Sequence, residues 1–313
     1  MERPLSTPAE PWWKRGVIYN LYPLSYMDGN GDGWGDIAGI RARLDHLVDL
    51  GVDAVWMSPV FVSPMKDFGY DIVDHCAVGP RFGTLAELDA LIAEAHARGL
   101  RLLFDFVPNH TSDQHPWFLE SRASREGPKA DWYLWRDPAS DGGPPNNWRS
   151  LFGGSAWAWC EERGQYWYHA FLAEQPDLNW RNPAVAKAQH DVMRFWLARG
   201  VDGFRVDAMW HLLKDPRWRD NPPNPDFRPG EPAIREFLQI RTADLPETVE
   251  VVKGLRRVLD EFPDRAMIGE LYLGFERIAA YYGEALDGCH LPFNQHLIMD
   301  PWRADVVARS IET

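Results

Sequence analysis

Two runs, Gly203-Phe204-Arg205-Val206-Asp207-Ala208 and Met267-Ile268-Gly269-Glu270-Leu271, decide how the rest of the chain is read. Each is an apolar segment of strand character whose last residues turn ionisable. Parallel α/β barrels hold catalytic groups at that end of their strands. Side chains at i and i+2 share a strand face, so Arg205 and Asp207 point together while Phe204 and Val206 face the surrounding helices.

The pattern around these runs alternates strand and helix, the signature of a parallel sheet. A strand at Val17 to Tyr22 precedes a helix over Ile37 to Leu50, and a strand at Ala54 to Met57 precedes a helix over Thr84 to Arg98 closed by Gly99. A third strand spans Leu100 to Val107. After His110 the alternation stops for roughly seventy residues, to Arg181, in a stretch rich in Pro, Gly and aromatics that ordinary βα loops are too short to match. It resumes with a helix over Pro183 to Arg199, the strand Gly203 to Val206, a helix over Val249 to Phe262 and a strand at Ala266 to Ile268. A helix over Phe275 to Leu286, a strand at Leu291 to Leu297 and a helix from Pro301 complete six β/α units. The fold class is therefore α/β, a (β/α)8 barrel with its first six units present and a domain inserted after strand three. Residues 1–110 form the first part of the barrel, 111–181 the inserted domain and 182–313 the second part.

Composition narrows the partners. Asp+Glu of 46 against Lys+Arg of 33 gives a net charge of −13, which repels nucleic acid and anionic membranes and suits a neutral substrate. Cys76, Cys160 and Cys289 are odd in number and widely spaced, with no CxxC pair. That argues against a disulfide framework or a structural zinc site and points to a reducing cytoplasm. Met1 to Arg15, with Pro4, Pro8 and Pro11, has no apolar segment of a signal peptide, and no run of 18 uncharged apolar residues occurs.

An Arg beside Asp207 favours the ionised carboxylate, which predicts a lowered pKa and a competent nucleophile. Glu270 follows an almost wholly apolar strand, and partial burial predicts a raised pKa suited to a general acid. One ionised and one neutral carboxyl, about 5–5.5 Å apart, is what a retaining glycosidase needs. The same residue types also make a buried Arg–Asp pair and a helix-capping Glu, so these two runs alone leave both readings open.

The wider motif set is specific. Asp105-Phe106-Val107-Pro108-Asn109-His110, Gln175-Pro176-Asp177-Leu178-Asn179, Gly203 to Asp207 and Gly269-Glu270 resemble, in order, signature segments of the α-amylase family, glycoside hydrolase family 13. The Gln-Pro-Asp-Leu-Asn form is similar to the oligo-1,6-glucosidase and α-glucosidase branch. The resemblance runs from Trp12 to about Met299. It implies Asp207 as nucleophile, Glu270 as acid/base, Arg205 as the group orienting the nucleophile, and His110 as a sugar ligand. Asp67 and Tyr70, in Lys66-Asp67-Phe68-Gly69-Tyr70-Asp71, match the segment that seals the non-reducing end in such glucosidases; a turn with an exposed acid is the plainer alternative. A small residue after the nucleophile, here Ala208, resembles enzymes that prefer α-1,4 linkages, although alanine there is also simply a small core residue. The implied activity is a retaining exo-α-glucosidase acting on short oligosaccharides or disaccharides. Transglucosylation or sucrose isomerisation on the same scaffold is the alternative, and a non-catalytic partner subunit a third reading.

Asp28, Asn30, Asp32 and Asp36 place oxygen ligands at positions 1, 3, 5 and 9 of a Gly-rich loop, the alternation by which EF-hand loops wrap a hard cation. Gly39 stands where an EF-hand carries its bidentate Glu, so an ordinary EF-hand is excluded. The resemblance implies structural calcium, with Trp34 contributing its backbone carbonyl. A solvated acidic turn ending in Asp36 as a helix N-cap is the alternative, and Asp36 could serve both purposes.

Eight of the sixteen tryptophans lie between Trp117 and Trp180 and are expected mostly as core of the inserted domain. From that domain Phe152, flanked by glycines in Leu151-Phe152-Gly153-Gly154-Ser155, is the residue expected to reach the site. Histidines other than His110, including His75, His190 and His211, are expected as surface or satisfied core residues. Family members carry a third essential carboxylate in an Asn-His-Asp motif, and none occurs between Leu291 and Thr313. The chain is therefore expected to lack strands seven and eight and the C-terminal β domain, to be inactive by itself, and to need the remaining part of the barrel, for which a separate chain is one source.

Overall fold

The computed structural model describes residues 10–312; the reading placed on Pro4 and Pro8 lies outside the described residues. Ile18–Leu21 (β1), Ala54–Met57 (β2), Arg101–Phe106 (β3), Gly203–Val206 (β4), Ala266–Gly269 (β5) and Leu291–Pro292 (β6) form one six-stranded sheet in chain order. Every pairing in it is parallel, which makes the chain a partial (β/α)8 barrel.

Strand alternation sorts the side chains into two clusters. Val55, Met57, Leu102, Phe104, Phe204, Val206 and Met267 face outward into one core with the helices. Those helices are Ile37–Ala42 (α1), Leu44–Leu50 (α2), Leu85–Ala97 (α3), Pro183–Ala198 (α4) and Thr248–Leu259 (α5), followed by Phe275–Ala280 (α6) and Ala304–Glu312 (α7). Phe104 meets Trp196 of α4 edge-on, with ring centroids 5.3 Å apart. Ala54, Leu103 and Ile268 face inward, against Ile18, Trp56, Leu291 and Phe293. The inward set is what becomes polar at the C-terminal ends of the strands.

Local chemistry fixes the ends of these elements. Thr84 and Glu87 exchange hydrogen bonds as a capping box at the start of α3. Gly203 has φ +152°, and a Cβ there would lie 1.9 Å from the Ala266 carbonyl oxygen, so β4 and β5 can approach only over glycine.

Three expected boundaries are corrected. The helix over Ile37 to Leu50 is two helices, because Arg43 leaves helical geometry at ψ 12°. The helix over Phe275 to Leu286 ends at Ala280, ahead of Gly283 and Leu286 in left-handed conformations. The strand expected over Leu291 to Leu297 is only Leu291–Pro292, because Asn294 Oδ1 accepts from the His296 N–H at 3.1 Å and turns the chain into the helical turn His296–Met299.

Between β3 and α4, Trp135–Arg136, Gln165–Tyr168 and Trp157–Cys160 make a three-stranded antiparallel sheet. Trp148, Trp157 and Tyr168 form its buried aromatic cluster, while Trp159 is exposed. The three cysteines are unpaired. No helix among the described residues is long and apolar enough to cross a membrane.

Candidate active site

Register brings the polar strand ends together. Asp105 of β3 sits beside Arg205 of β4, and the Glu270 N–H donates to the Val206 carbonyl at 3.0 Å, carrying Glu270 to the level of Asp207. Arg205 then joins three carboxyls. Its Nη1 donates to Asp105 Oδ1 and to Asp207 Oδ1, each at 2.7 Å, and its Nη2 lies 3.0 Å from Glu270 Oε2. The guanidinium lies over the Trp56 ring at 5.0 Å. Trp56 Nε1 and the Tyr70 hydroxyl both donate to Asp105 Oδ2 at 3.0 Å, so Asp105 is fully engaged and 1% exposed.

Burial dominates the protonation of this cluster. Desolvation raises the Asp207 pKa well above the usual carboxylate range; Arg205 opposes it, and the like charges of Glu270 and Asp105 add to it. The lowered pKa expected from Arg205 alone is thereby corrected. One guanidinium shared among three carboxyls is too little positive charge to offset the burial of Asp207. Desolvation raises Asp105 as well.

A second network fixes His110. Its Nδ1 lies 3.2 Å from Asn109 Nδ2 and its Nε2 lies 3.2 Å from the Tyr70 carbonyl. Burial lowers its pKa and keeps it neutral. Gln175 Nε2 donates to Asp67 Oδ2 at 2.9 Å and lies 3.1 Å from His110 Nε2, so the Gln-Pro-Asp-Leu-Asn segment links these two residues. Below them the buried Lys214 ammonium contacts Asp177, Asn109 Oδ1 and the His211 carbonyl.

The cleft above Arg205 has a volume of about 580 Å³. Asp67, Tyr70, His110, Phe152, Arg205, Asp207 and Glu270 all line it, so most of the residues singled out in the sequence meet in one place. Phe152 is exposed at its mouth and meets Phe171 edge-on. Ala208 is buried beneath it in a left-handed conformation, φ 45°, from which its N–H reaches Glu270.

Several residues at the site were missed. Asp105 stands in a quoted motif at an inward position of β3, and period-2 alternation was enough to place it. Trp210 and Tyr272 follow the two decisive runs by a few residues and line the cleft, their rings 5.3 Å apart. Lys214 carried no signal, because its partners are remote in sequence. The histidine reading is corrected for His75, His190 and His211, whose Nε2 atoms are buried without a partner among the described residues.

The loop 28–36 lies apart from the cleft. Asp28 accepts from the N–H groups of Asn30, Gly31 and Gly33, and Asp32 Oδ1 from that of Trp34. These bonds hold the Asp28 pKa low. Asp36 caps α1 through the Gly39 N–H at 2.6 Å. Among the described residues no three His, Cys, Asp or Glu side chains converge as a metal cluster. A calcium ion held by this loop would draw on the amide and main-chain oxygens of Asn30 and Trp34 as well. That all-oxygen donor set suits a hard cation, and the carboxylates keep lone pairs beyond those used internally.

The α-amylase catalytic-domain profile matches residues 20–303, nearly the whole chain. The chain belongs to the α-amylase family. Within that family it is 51% identical over 296 residues to a probable α-glucosidase of Rhizobium meliloti (strain 1021), covering 92% of this chain and 54% of the relative. It is 48% identical over 236 residues to an oligo-1,6-glucosidase of Parageobacillus thermoglucosidasius, covering 73% and 42%. The solved structure of the α-glucosyl transfer enzyme XgtA superposes with a TM-score of 0.93 at 45% identity, over 97% of this chain and 58% of that one. The chain thus spans about half the length of the curated relatives it matches.

Proposed function

We propose that the protein is a retaining, exo-acting α-glucosidase for short α-glucosides, with α-1,4 linkages favoured over α-1,6. The observation that carries this reading is the single guanidinium of Arg205 joining Asp207 to Glu270 on the floor of a sugar-sized cleft. The family relationship supports the chemistry. The small side chain of Ala208 supports the linkage.

Asp207 attacks the anomeric carbon as the carboxylate held by Arg205, and the glycosidic oxygen leaves with a proton from Glu270. The ionised Glu270 then removes a proton from water, which displaces Asp207 and restores both groups. Arg205 opposes the burial that raises the Asp207 pKa and so favours the attacking carboxylate, while Glu270 donates the proton to the leaving group. Asp67 takes sugar hydroxyls at the closed end, Tyr70 faces the ring, and neutral His110 binds the sugar beside them. Phe152 sits on the leaving-group side. The loop of Asp28, Asn30, Asp32, Trp34 and Asp36 is proposed to hold a calcium ion that stiffens the turn after β1, away from the reacting atoms.

The similarity to the α-glucosyl transfer enzyme favours a second reading, in which an acceptor sugar replaces water at the glucosyl-enzyme. Product analysis on maltose and sucrose separates the two readings, and the ratio of kcat/KM on maltose to that on isomaltose tests the linkage preference. The nucleophile is tested by quenching the Glu270→Gln variant during turnover of α-glucosyl fluoride and mapping its peptides. A glucosyl adduct on the Asp207 peptide is expected. An adduct elsewhere, or turnover by Asp207→Asn at the wild-type rate, would overturn the assignment.

A further inference from the structure

A second cavity, of about 360 Å³, lies between the inserted sheet and the loop after β4 and shares no lining residue with the catalytic cleft. Its charge is lopsided in a chain of net −13: five cationic side chains line it against one carboxylate, that of Asp131. Most of those cations are already engaged. Lys214 pairs with Asp177, Arg125 reaches Asp137 at 3.1 Å, and Arg163 spends its N–H groups on Gln165 and on backbone carbonyls.

Arg136 differs from the rest. Among the described residues its side chain has no ion pair and no hydrogen bond, and its Nε is buried without a partner. The guanidinium is stacked 4.0 Å from the Trp218 ring centroid, which fixes its plane and leaves the donor edge free. Burial lowers its pKa against the opposing charge of Asp137, whose carboxylate is paired with Arg125. A second guanidinium, of Arg163, stacks 4.4 Å from the Trp135 ring and adds to the positive potential. A planar fork of five N–H donors held on an aromatic face matches the paired oxygens of an oxyanion.

We propose that this cavity binds a phosphate-class oxyanion, with Arg136 as its anchor. The site is independent of the glucosidase reading, and it stands or falls separately. Free phosphate and the phosphate end of a sugar ester both present the same oxygens to the fork.

The test uses the whole chain and phenylglyoxal, which modifies arginine, with peptide mass mapping. Inorganic phosphate is titrated against sodium chloride at matched ionic strength. Phosphate is expected to slow modification of Arg136 saturably, by about tenfold at ten times its Kd, while exposed Arg235 responds alike to both salts. Glucose 6-phosphate protecting at lower concentration than inorganic phosphate would assign the ligand to a sugar ester, and equal or weaker protection would assign it to the free ion. In parallel, phosphate is expected to raise Tm saturably in the wild type and not in Arg136→Gln. If that variant does not fold, the protection of wild-type Arg136 decides alone. Equal protection by chloride, protection of every arginine alike, or none at all would overturn the proposal.

Discussion

The Ala208 N–H donates to Glu270 Oε2 at 2.8 Å, so the residue that follows Asp207 also holds the second carboxyl in place. The left-handed conformation of Ala208 is what aims that N–H, an uncommon geometry for a residue with a Cβ and one found where surrounding structure over-determines it. In Glu270→Gln the amide oxygen, standing where Oε2 stands, can keep both the Ala208 and the Arg205 contacts, but the amide carries no transferable proton. We expect kcat on maltose to fall by about 10²–10⁴-fold. On p-nitrophenyl α-glucoside, whose leaving group needs no proton, the loss should be much smaller. Equal losses on the two substrates would remove Glu270 from the acid role.

Lys214 is buried, and the groups it contacts support His110 from below. Lys214→Met leaves the Asp177 carboxylate buried with, among the described residues, only the N–H groups of Asn109 and Ala170. Breaking one side of a buried pair costs about 3–5 kcal/mol. Urea unfolding is expected to show that loss, and adding Asp177→Asn should recover part of it by removing the stranded charge.

Those two residues also show where sequence reading stopped. Arg205, Asp207 and Glu270 were legible because strand period and strand ends are local properties, and Asp67, Tyr70 and His110 because their motifs are contiguous. Asp177 and Lys214 lie 37 positions apart, and nothing near either one foretells their contact. The direction of the Asp207 pKa was misread for a related reason. One favourable neighbour can be seen in Arg-x-Asp, whereas burial and the crowding of Asp105 and Glu270 exist only once three strands are in register. The short β6 was misread because Asn294 diverts a run whose composition otherwise suits a strand.

Calcium removal gives a separate expectation. A ligand that binds only the folded state stabilises it by about 2.7 kcal/mol at one hundred times its Kd. Dialysis against a chelator should therefore lower Tm, and added calcium should restore it. Asp28→Ala should have a low Tm whether calcium is present or not. A wild-type Tm indifferent to chelator would leave the loop as a self-bonded turn capped by Asp36.

Acid sensitivity follows from the buried histidines. Desolvation lowers the pKa of His75 to about 4, of His211 to about 3 and of His290 to about 4. His75 faces Asp74, whose charge raises its pKa, and His110, which lowers it. His211 faces Lys214 and His110, which lower its pKa, and Asp177, which raises it. Above about pH 6.5 each ring is neutral in the folded and unfolded chain alike, so none affects stability. Below it the unfolded chain takes up protons that the folded chain refuses, and stability falls as pH drops toward 4. For His75 the linked loss is of the order of 2–3 kcal/mol across that window. The Tm of wild type should thus fall between pH 6.5 and 4. In His75→Phe, which cannot take up the proton in either state, the fall should be shallower by that amount. A variant whose Tm fell in parallel with wild type over the same range would show that His75 contributes nothing to acid unfolding.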